Sequence, residues 1–283
     1  MDDLSHDLTE MLESAEAELY YACEICAPPD TAAKVGISTA RMGGGVVLSM
    51  RADPTKFWSK TLGLGITEPV TAGLMNEIFA FYRAEGTPSA IVQIAPSALP
   101  PDWASIAAVH GLTGGAEWLK LAAPIDGLNT HVRRSTRLRI EQVQPEQADA
   151  WADAVLRGFG MPQDLFGPML AAYVENPGFT AFAAWDGDEI VAGANLFVHG
   201  SVGSLNTAST LPGHERRGAQ SALIAARIAA ANEAGCTWVI SETGKPAPGA
   251  VNRSLANLRH AGLRPVYARQ NWRWTDPAAR TAD

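Results

Sequence analysis

The chain has 283 residues, of which 47% are hydrophobic and 18% are charged, with a formal net charge of −8 at pH 7. This length predicts two domains, and the composition is typical of a globular protein with a sizeable core. The negative charge disfavours nucleic acid and anionic membrane surfaces as partners and is compatible with a cationic small molecule such as an amine.

The first residues predict one or two amphipathic helices over 4–26, because apolar side chains recur there at spacings of three and four. This acidic segment lacks the features of a signal peptide, and no apolar run is long enough for a transmembrane helix, so a cytoplasmic location is expected. Cys23 and Cys26 form a C-x-x-C pair without a second pair or a histidine partner. We therefore expect buried helix residues and no metal site.

The rest of the first half predicts alternating strands and helices. Met42 to Gly45 reads as a hairpin turn, and Gly86 follows a helix in the usual C-terminal role. The predicted elements are strands at 35–40 and 46–50, a helix at 71–85, a strand at 90–94, a helix at 101–109 and a strand at 117–121.

Residues 124–137 carry proline, glycine and asparagine without periodicity, which predicts an interdomain linker. The chain is thus divided into a first domain at 1–123, a second at 138–275 and a tail at 276–283.

The second half repeats this order of elements. Gly86 and Gly235 both end helices, and a Gly-Leu pair follows at Gly111 and at Gly262. The predicted elements are a strand at 138–143, helices from 145 and at 163–174, strands at 179–185, 189–198 and 201–209, a helix at 219–234, a strand at 237–241, a helix at 252–260 and a strand at 266–274. An internal repeat is indicated, with a chance likeness of two α/β units as the alternative.

Residues 210–221, TLPGHERRGAQS, form a loop between a strand and an Ala-rich helix. Gly218 allows close backbone approach, and the first amides of the helix have no internal partner. With Arg216 and Arg217 beside them, these amides suit a phosphate or diphosphate, and an ordinary surface turn is the alternative. The P-loop and dinucleotide glycine spacings are both absent.

Residues 210–223 resemble the acyl-CoA pyrophosphate loop of the GNAT superfamily of N-acyltransferases. Pro212, Arg217, Gly218 and Leu223 match its pattern, whereas a glutamate and a glutamine stand at 215 and 220, where the family has other residues. The stretch 252–263 is similar to the family's later motif, N-x-S-x-x-N-x-x-x-x-G-F.

The resemblance implies an α/β (α+β) fold of two GNAT-like domains, each with a mixed, mostly antiparallel central sheet flanked by helices. The first domain is the degenerate copy, because its loop at 63–69 has no arginine and carries Glu68. Acetyl-CoA is the implied cosubstrate, with no metal. The implied binding residues are Thr210, Leu211, Arg216, Arg217, Gly218, Ala219, Gln220, Ser221 and Asn252, although a plain helix cap is the alternative for Asn252.

The predicted activity is acetyl-CoA-dependent N-acetyl transfer to a small amine, made directly, with a non-catalytic acyl-CoA-binding pseudoenzyme as the alternative. Glu242 is the candidate base, and an ordinary surface carboxylate or a substrate-ammonium ligand are its alternatives. The tyrosine that many members use as acid is replaced by Leu258, with Ser254 or Tyr267 as stand-ins, and protonation by water or no acid at all as the alternatives. A monomer is expected, with a dimer as the alternative.

Overall fold

The computed structural model describes residues 6–128 and 136–279. Its helices are α1 (His6–Ile25), α2 (Pro29–Val35), α3 (Ala72–Ala84), α4 (Trp103–Val109), α5 (Ala148–Phe159), α6 (Gln163–Ala171), α7 (Ala219–Glu233) and α8 (Arg253–Ala261). Its strands are β1 (Ile37–Met42), β2 (Gly45–Met50), β3 (Lys60–Leu62), β4 (Ser89–Gln93), β5 (Thr113–Pro124), β6 (Arg139–Gln142), β7 (Phe179–Asp186), β8 (Glu189–His199), β9 (Val202–Thr210), β10 (Trp238–Gly244) and β11 (Arg264–Thr275).

The described chain forms two compact units, each with a mixed, mostly antiparallel sheet flanked by helices. The first comprises residues 6–25, 32–119 and 267–279, and the second comprises the remainder. The last part of the chain therefore belongs to the first unit. The predicted domains at 1–123 and 138–275 are consecutive stretches, and they stay a prediction about how two copies divide the sequence.

The sheet of the first unit has the strand order β1-β2-β3-β4-β11-β5. β1 and β2 are antiparallel, as are β2 and β3, whereas β3 and β4 are parallel. β11 pairs antiparallel with β4, and the guanidinium of Arg269 on β11 contacts Glu13 and Glu16 of α1 at 2.6 Å each. All three side chains are buried, so this ion cluster fixes the last strand against the first helix.

The sheet of the second unit runs β5-β10-β9-β8-β7-β6, with only β9 and β10 parallel among the pairs from β6 to β10. Helices cover both of its faces. A Cβ on Gly193 would meet Val155 of α5, whereas a Cβ on Gly203 would meet Ala231 of α7. α5 and α7 therefore lie on opposite faces, and the two glycines allow the helices to approach closely.

The same sequence of pairings occurs in both units. β2, β3, α3, β4 and α4 in the first match β8, β9, α7, β10 and α8 in the second, with an antiparallel pair followed by a parallel pair. The predicted repetition of element order is confirmed. The sequence patterns missed α2, which begins at Pro29 where a helix break was expected, and the three-residue strand β3.

The predicted linker is ordered at its start. Ile125 to Gly127 form a 3-10 turn, and the amide of Ile125 donates to the carbonyl of Thr237 at 2.9 Å. Residues 129–135 of this stretch lie outside the described residues, as do 280–283 of the predicted tail. Before that, the amide of Asp276 donates to the carbonyl of Pro88.

Candidate functional site

The sheet of the second unit opens into a cleft because β9 and β10 pair for only part of their length. The two parallel strands pair at three positions, the last being Ser204 with Ile240. The hydroxyl of Ser241 then donates to the carbonyl of Leu205 at 2.8 Å. Both strands continue beyond this point, but they no longer pair with each other. The gap between them is therefore closed at its inner end, at Ser241.

A β-bulge lies in the wall of this gap. β8 pairs Asn195 with Asn206 and Gly193 with Ser209, so β9 carries one residue more than its partner between these points. Thr207 lies in the bulge and has a φ of 49°, which is rare for a residue with a β-branched side chain. A bulge turns a main-chain group out of the ladder, which frees it to bind a ligand.

The cleft has a volume of about 470 Å³. The end of β9, the loop after it, the facing side of α7, Ser241 and α8 form its walls. Polar residues line every wall, namely Ser209, Thr210, His214, Glu215, Arg216, Gln220, Ser221, Arg227, Ser241, Arg253, Ser254 and Asn257.

The mouth of the cleft is the N-terminus of α7. Gly218 is the N-cap with a φ of 83°, a conformation that favours glycine, and no side chain caps the helix. The amides of Ala219, Gln220 and Ser221 have no hydrogen-bond acceptor among the described residues. Three free amides and the positive end of the helix dipole match the charge and the hydrogen-bond demand of an anion.

The two arginines of the loop separate. Arg216 lines the cleft with a φ of 64°, whereas Arg217 pairs with Asp186 at the end of β7 at 2.6 Å. The hydrogen bond from Arg217 lowers the pKa of Asp186 below its ordinary value. Arg217 also lies 3.2 Å from Nδ1 of His214. Arg216 therefore offers its charge to a ligand, and Arg217 anchors the loop.

Glu215, which departs from the family pattern, has a local role. Its carboxylate accepts the amide hydrogen of Gly213 at 2.9 Å and so closes the turn of the loop. The side chain of Gln220, the other departure, donates to the carbonyl of Ser209 and to the hydroxyl of Thr210. These two bonds connect α7 to β9 at the mouth of the cleft, and the main-chain amide of Gln220 remains free.

Besides Arg217, two predicted binding residues, Leu211 and Asn252, do not line the cleft. Leu211 is buried, and its amide donates to the carbonyl of Val191 at 2.9 Å, so that amide is not free for an acyl group. The side chain of Asn252 caps α8 by accepting from the amide of Leu255 and donates to the carbonyl of Gly244. The helix cap, which the sequence left open as the alternative, is what the structure shows for Asn252.

The candidate catalytic residues lie apart from each other. Ser254 is exposed in the first turn of α8 and lines the cleft. Glu242 follows Ser241 on β10 and so points to the opposite face of the sheet. Its carboxylate is buried and pairs with the ammonium of Lys120 on β5 at 2.8 Å. Glu242 is therefore not the exposed surface carboxylate that was one alternative.

Tyr267 is not available as an acid. It belongs to the first unit, where its hydroxyl donates to Glu13 at 2.5 Å. Burial raises its pKa well above the ordinary value. Leu258, at the place of the usual tyrosine, lines the cleft and offers no proton.

No protein-family profile and no curated protein matches the sequence, but solved structures match the fold. A GCN5-related N-acetyltransferase from Kribbella flavida is 18% identical with a TM-score of 0.61, over 98% of this chain and 97% of that one. A tandem GNAT protein from the clavulanic acid biosynthesis pathway is 14% identical with a TM-score of 0.57, over 97% of this chain and 95% of that one. A GCN5-related N-acetyltransferase from Sphaerobacter thermophilus is 13% identical with a TM-score of 0.57, over 84% of this chain and 76% of that one.

The chain has the GNAT fold. The resemblance found in the loop at 210–223 and the predicted α/β class are thereby confirmed, and the likeness spans both halves of the chain. Within the described residues, no helix is both long and apolar enough to cross a bilayer.

In the first unit, buried side chains occupy the position that corresponds to the cleft of the second unit. The loop after β3 buries Leu64 and Val70 in a core with Trp103. A Cβ on Gly65 would meet the carbonyl of Ala98 at 2.8 Å, so the loop is packed on both sides. The loop therefore presents no open, positively charged mouth.

Sequence patterns missed three charged residues of the second unit. Arg227 interrupts the apolar run of α7, and Lys120 interrupts the apolar run WLKLAA. A single charge inside an apolar element is a usable signal, because burying it requires a partner. Arg253 at the cleft mouth gives no such signal, since an exposed arginine in a helix is ordinary.

Proposed function

We propose that the second unit binds an acyl-CoA thioester and transfers its acyl group directly to the amine of a small molecule. The observation that carries this proposal is a cleft between diverging strands with free helix amides at its mouth. A diphosphate matches the mouth in charge and in hydrogen-bond demand.

The remainder of the cleft suits the rest of such a donor. Arg216 and Arg253 add positive charge at the mouth, where phosphate groups would lie. Beyond Ser204, β9 has no ladder pairing with β10, so main-chain groups along this edge can hydrogen-bond the amides of a pantetheine arm as an added strand would. The thioester then reaches the bulge at Thr207.

Each step of the transfer has a candidate group. A main-chain N–H group at the Thr207 bulge donates to the thioester oxygen and stabilises its negative charge as the amine attacks. A new C–N bond forms, the C–S bond breaks, and the sulfur leaves as a thiolate. Glu242 takes the proton that the amine loses, and Ser254 offers a proton to the thiolate.

The binding step is tested at Ser221 with a matched pair of variants. Ser221→Pro removes an amide donor in the first helical turn, where proline is tolerated, and Ser221→Ala removes only the hydroxyl. Titration calorimetry with CoA is expected to show an affinity loss of about 10- to 150-fold for the proline variant alone, since a bond to a charged group contributes about 1.5–3 kcal/mol. Equal affinities would place the diphosphate elsewhere.

The chemical step is tested with acetyl-CoA and a panel of small amines, with the acylated product and free CoA followed by mass spectrometry. Thiol-reactive dyes are unsuitable because the protein has three free cysteines. Glu242→Gln is expected to lower kcat at least 10-fold and to leave CoA affinity unchanged. Glu68→Gln, in the loop of the first unit, is the control and is expected to change neither.

Two observations favour a non-catalytic acyl-CoA-binding protein. Leu258 stands where a catalytic tyrosine is expected, and Glu242 is already paired with Lys120. Tight binding of acetyl-CoA without product from any amine would support this alternative over the enzyme.

We also infer that only the second unit binds the donor, as expected for a degenerate first copy. The buried loop with Leu64 and Val70 supports this inference. Calorimetry is expected to give one CoA per chain, and a ratio of two would contradict it. Light scattering on the same sample tests the expected monomer.

A further inference from the structure

A buried guanidinium lies at the inner end of the cleft. Arg227 is on α7, about 13 Å along the helix from Gly218 at the ordinary helical rise. Its side chain lines the cleft together with Leu205 and Ser241, the two residues that close the gap between the strands. Only 2% of Arg227 is exposed, so the charge is removed from bulk water.

The hydrogen bonds of Arg227 leave part of the guanidinium unused. Nε donates to the carbonyl of Leu223, and Nη1 donates to the carbonyls of Asn195 and Asn206. Nη2 has no hydrogen-bond partner among the described residues, and none of their carboxylates pairs with Arg227. Two N–H groups therefore remain for a ligand.

The hydrogen bonds to carbonyl groups do not explain why a positively charged side chain lies at the buried position of Arg227. Burial lowers the pKa of Arg227 to about 9, and no neighbouring charge contributes to that shift. A neutral amide side chain would satisfy a carbonyl without the cost of burying a cation, whereas an uncompensated buried ion is costly. An anionic partner that enters through the cleft removes that cost.

The position of Arg227 decides which anion this is. The diphosphate is accommodated at the other end of the cleft, at the free amides of Ala219, Gln220 and Ser221. A donor that enters there carries its acyl group toward Leu205 and Ser241, next to the guanidinium. The anion at Arg227 therefore belongs to the acyl group itself.

We propose that Arg227 binds a carboxylate at the far end of the acyl group, so that the preferred donor is the CoA thioester of a dicarboxylic acid. This inference rests on the proposed function of the cleft, and it names the acyl class. The contact is a charge-assisted hydrogen bond in a site of low water content, so it discriminates strongly against an acetyl group.

The test is the affinity of the whole chain for free CoA, acetyl-CoA, malonyl-CoA, succinyl-CoA and glutaryl-CoA, measured by calorimetry. At least one carboxylated thioester is expected to bind at least 10-fold more tightly than acetyl-CoA. The matching thioester with a terminal amide in place of the carboxylate is expected to bind no better than acetyl-CoA. This ligand control needs no variant and stays informative if a variant fails to fold.

Arg227→Gln is expected to abolish that preference while free CoA and acetyl-CoA keep their affinity within about threefold. Arg227→Lys is expected to keep part of the preference. An equal loss for every ligand would mean that Arg227 only supports the bulge, and it would overturn the inference. CoA binding without discrimination in the unaltered protein would overturn the inference and leave the proposed function standing, whereas no binding of any thioester would overturn both.

Discussion

The two adjacent arginines of the loop are expected to differ in their effect on CoA binding. Arg216 lines the cleft and has no carboxylate partner among the described residues, whereas the guanidinium of Arg217 already bonds Asp186 at 2.6 Å. Arg216→Gly removes a contact to an anion that is worth about 1.5–3 kcal/mol when shielded. Because Arg216 is exposed, the lower value applies, which corresponds to an affinity loss of about 10-fold.

The same Arg216→Gly substitution is expected to raise the free energy of unfolding or to leave it unchanged. At a φ of 64°, Arg216 carries the left-handed strain of about 1–2 kcal/mol that glycine does not have. Glycine also adds freedom to the unfolded chain, at about 0.5–1 kcal/mol, so the net change lies between zero and about 1.5 kcal/mol in favour of the folded state.

Calorimetry with CoA and thermal unfolding without ligand check both parts. Arg217→Gln is the matched variant, with an expected affinity loss of less than threefold. The difference in CoA affinity between the two variants is expected to become smaller in 0.5 M salt, because exposed charges are screened. A larger loss for Arg217→Gln than for Arg216→Gly would refute the assignment of the two side chains.

Three further predictions follow from the described contacts. Asn252→Ala is expected to lower the unfolding free energy by about 1 kcal/mol through loss of the α8 cap and to leave CoA affinity unchanged, and a 10-fold affinity loss would restore a ligand role. Gln220→Met is expected to lower the thermal midpoint and to weaken CoA binding several-fold, because α7 loses both bonds to β9; unchanged binding would show that the mouth needs no such tie. Burial lowers the pKa of Lys60 from 10.5 to about 7, so the unfolded chain binds more protons than the folded protein between these values and stability rises with pH there. Lys60→Met is expected to flatten that rise in thermal midpoints measured from pH 7 to 10, and parallel profiles would contradict the lowered pKa of Lys60.

Local patterns predicted most elements and the mouth of the site. Spacing of apolar residues and turn residues placed α3, α7 and the β1–β2 hairpin within a few residues of their observed bounds. The loop was found because its chemistry is local: Gly218, its neighbouring amides and the helix that follows are contiguous. Short or irregular elements escaped, since β3 has three residues and depends on pairing with β2 and β4.

The partners of charged side chains could not be predicted in the same way. The sequence suggested that Arg216 and Arg217 act together, and it suggested Asn252 as a binding residue. In the structure, the second arginine bonds Asp186, and the asparagine caps its own helix. Glu242 meets Lys120, which is distant along the chain. Such pairings depend on which strands lie side by side.

The sequence by itself determined the class of fold, the order of elements and the glycine turn before α7, because these follow from periodicity, helix caps and glycine conformation within a short stretch. Only the tertiary structure decided that β11 completes the sheet of the first unit, that β9 and β10 separate after Ser204, and that Arg227 faces the gap. Strand pairing and burial are set by contacts between residues far apart in the chain, and a local pattern holds no information about which of them meet.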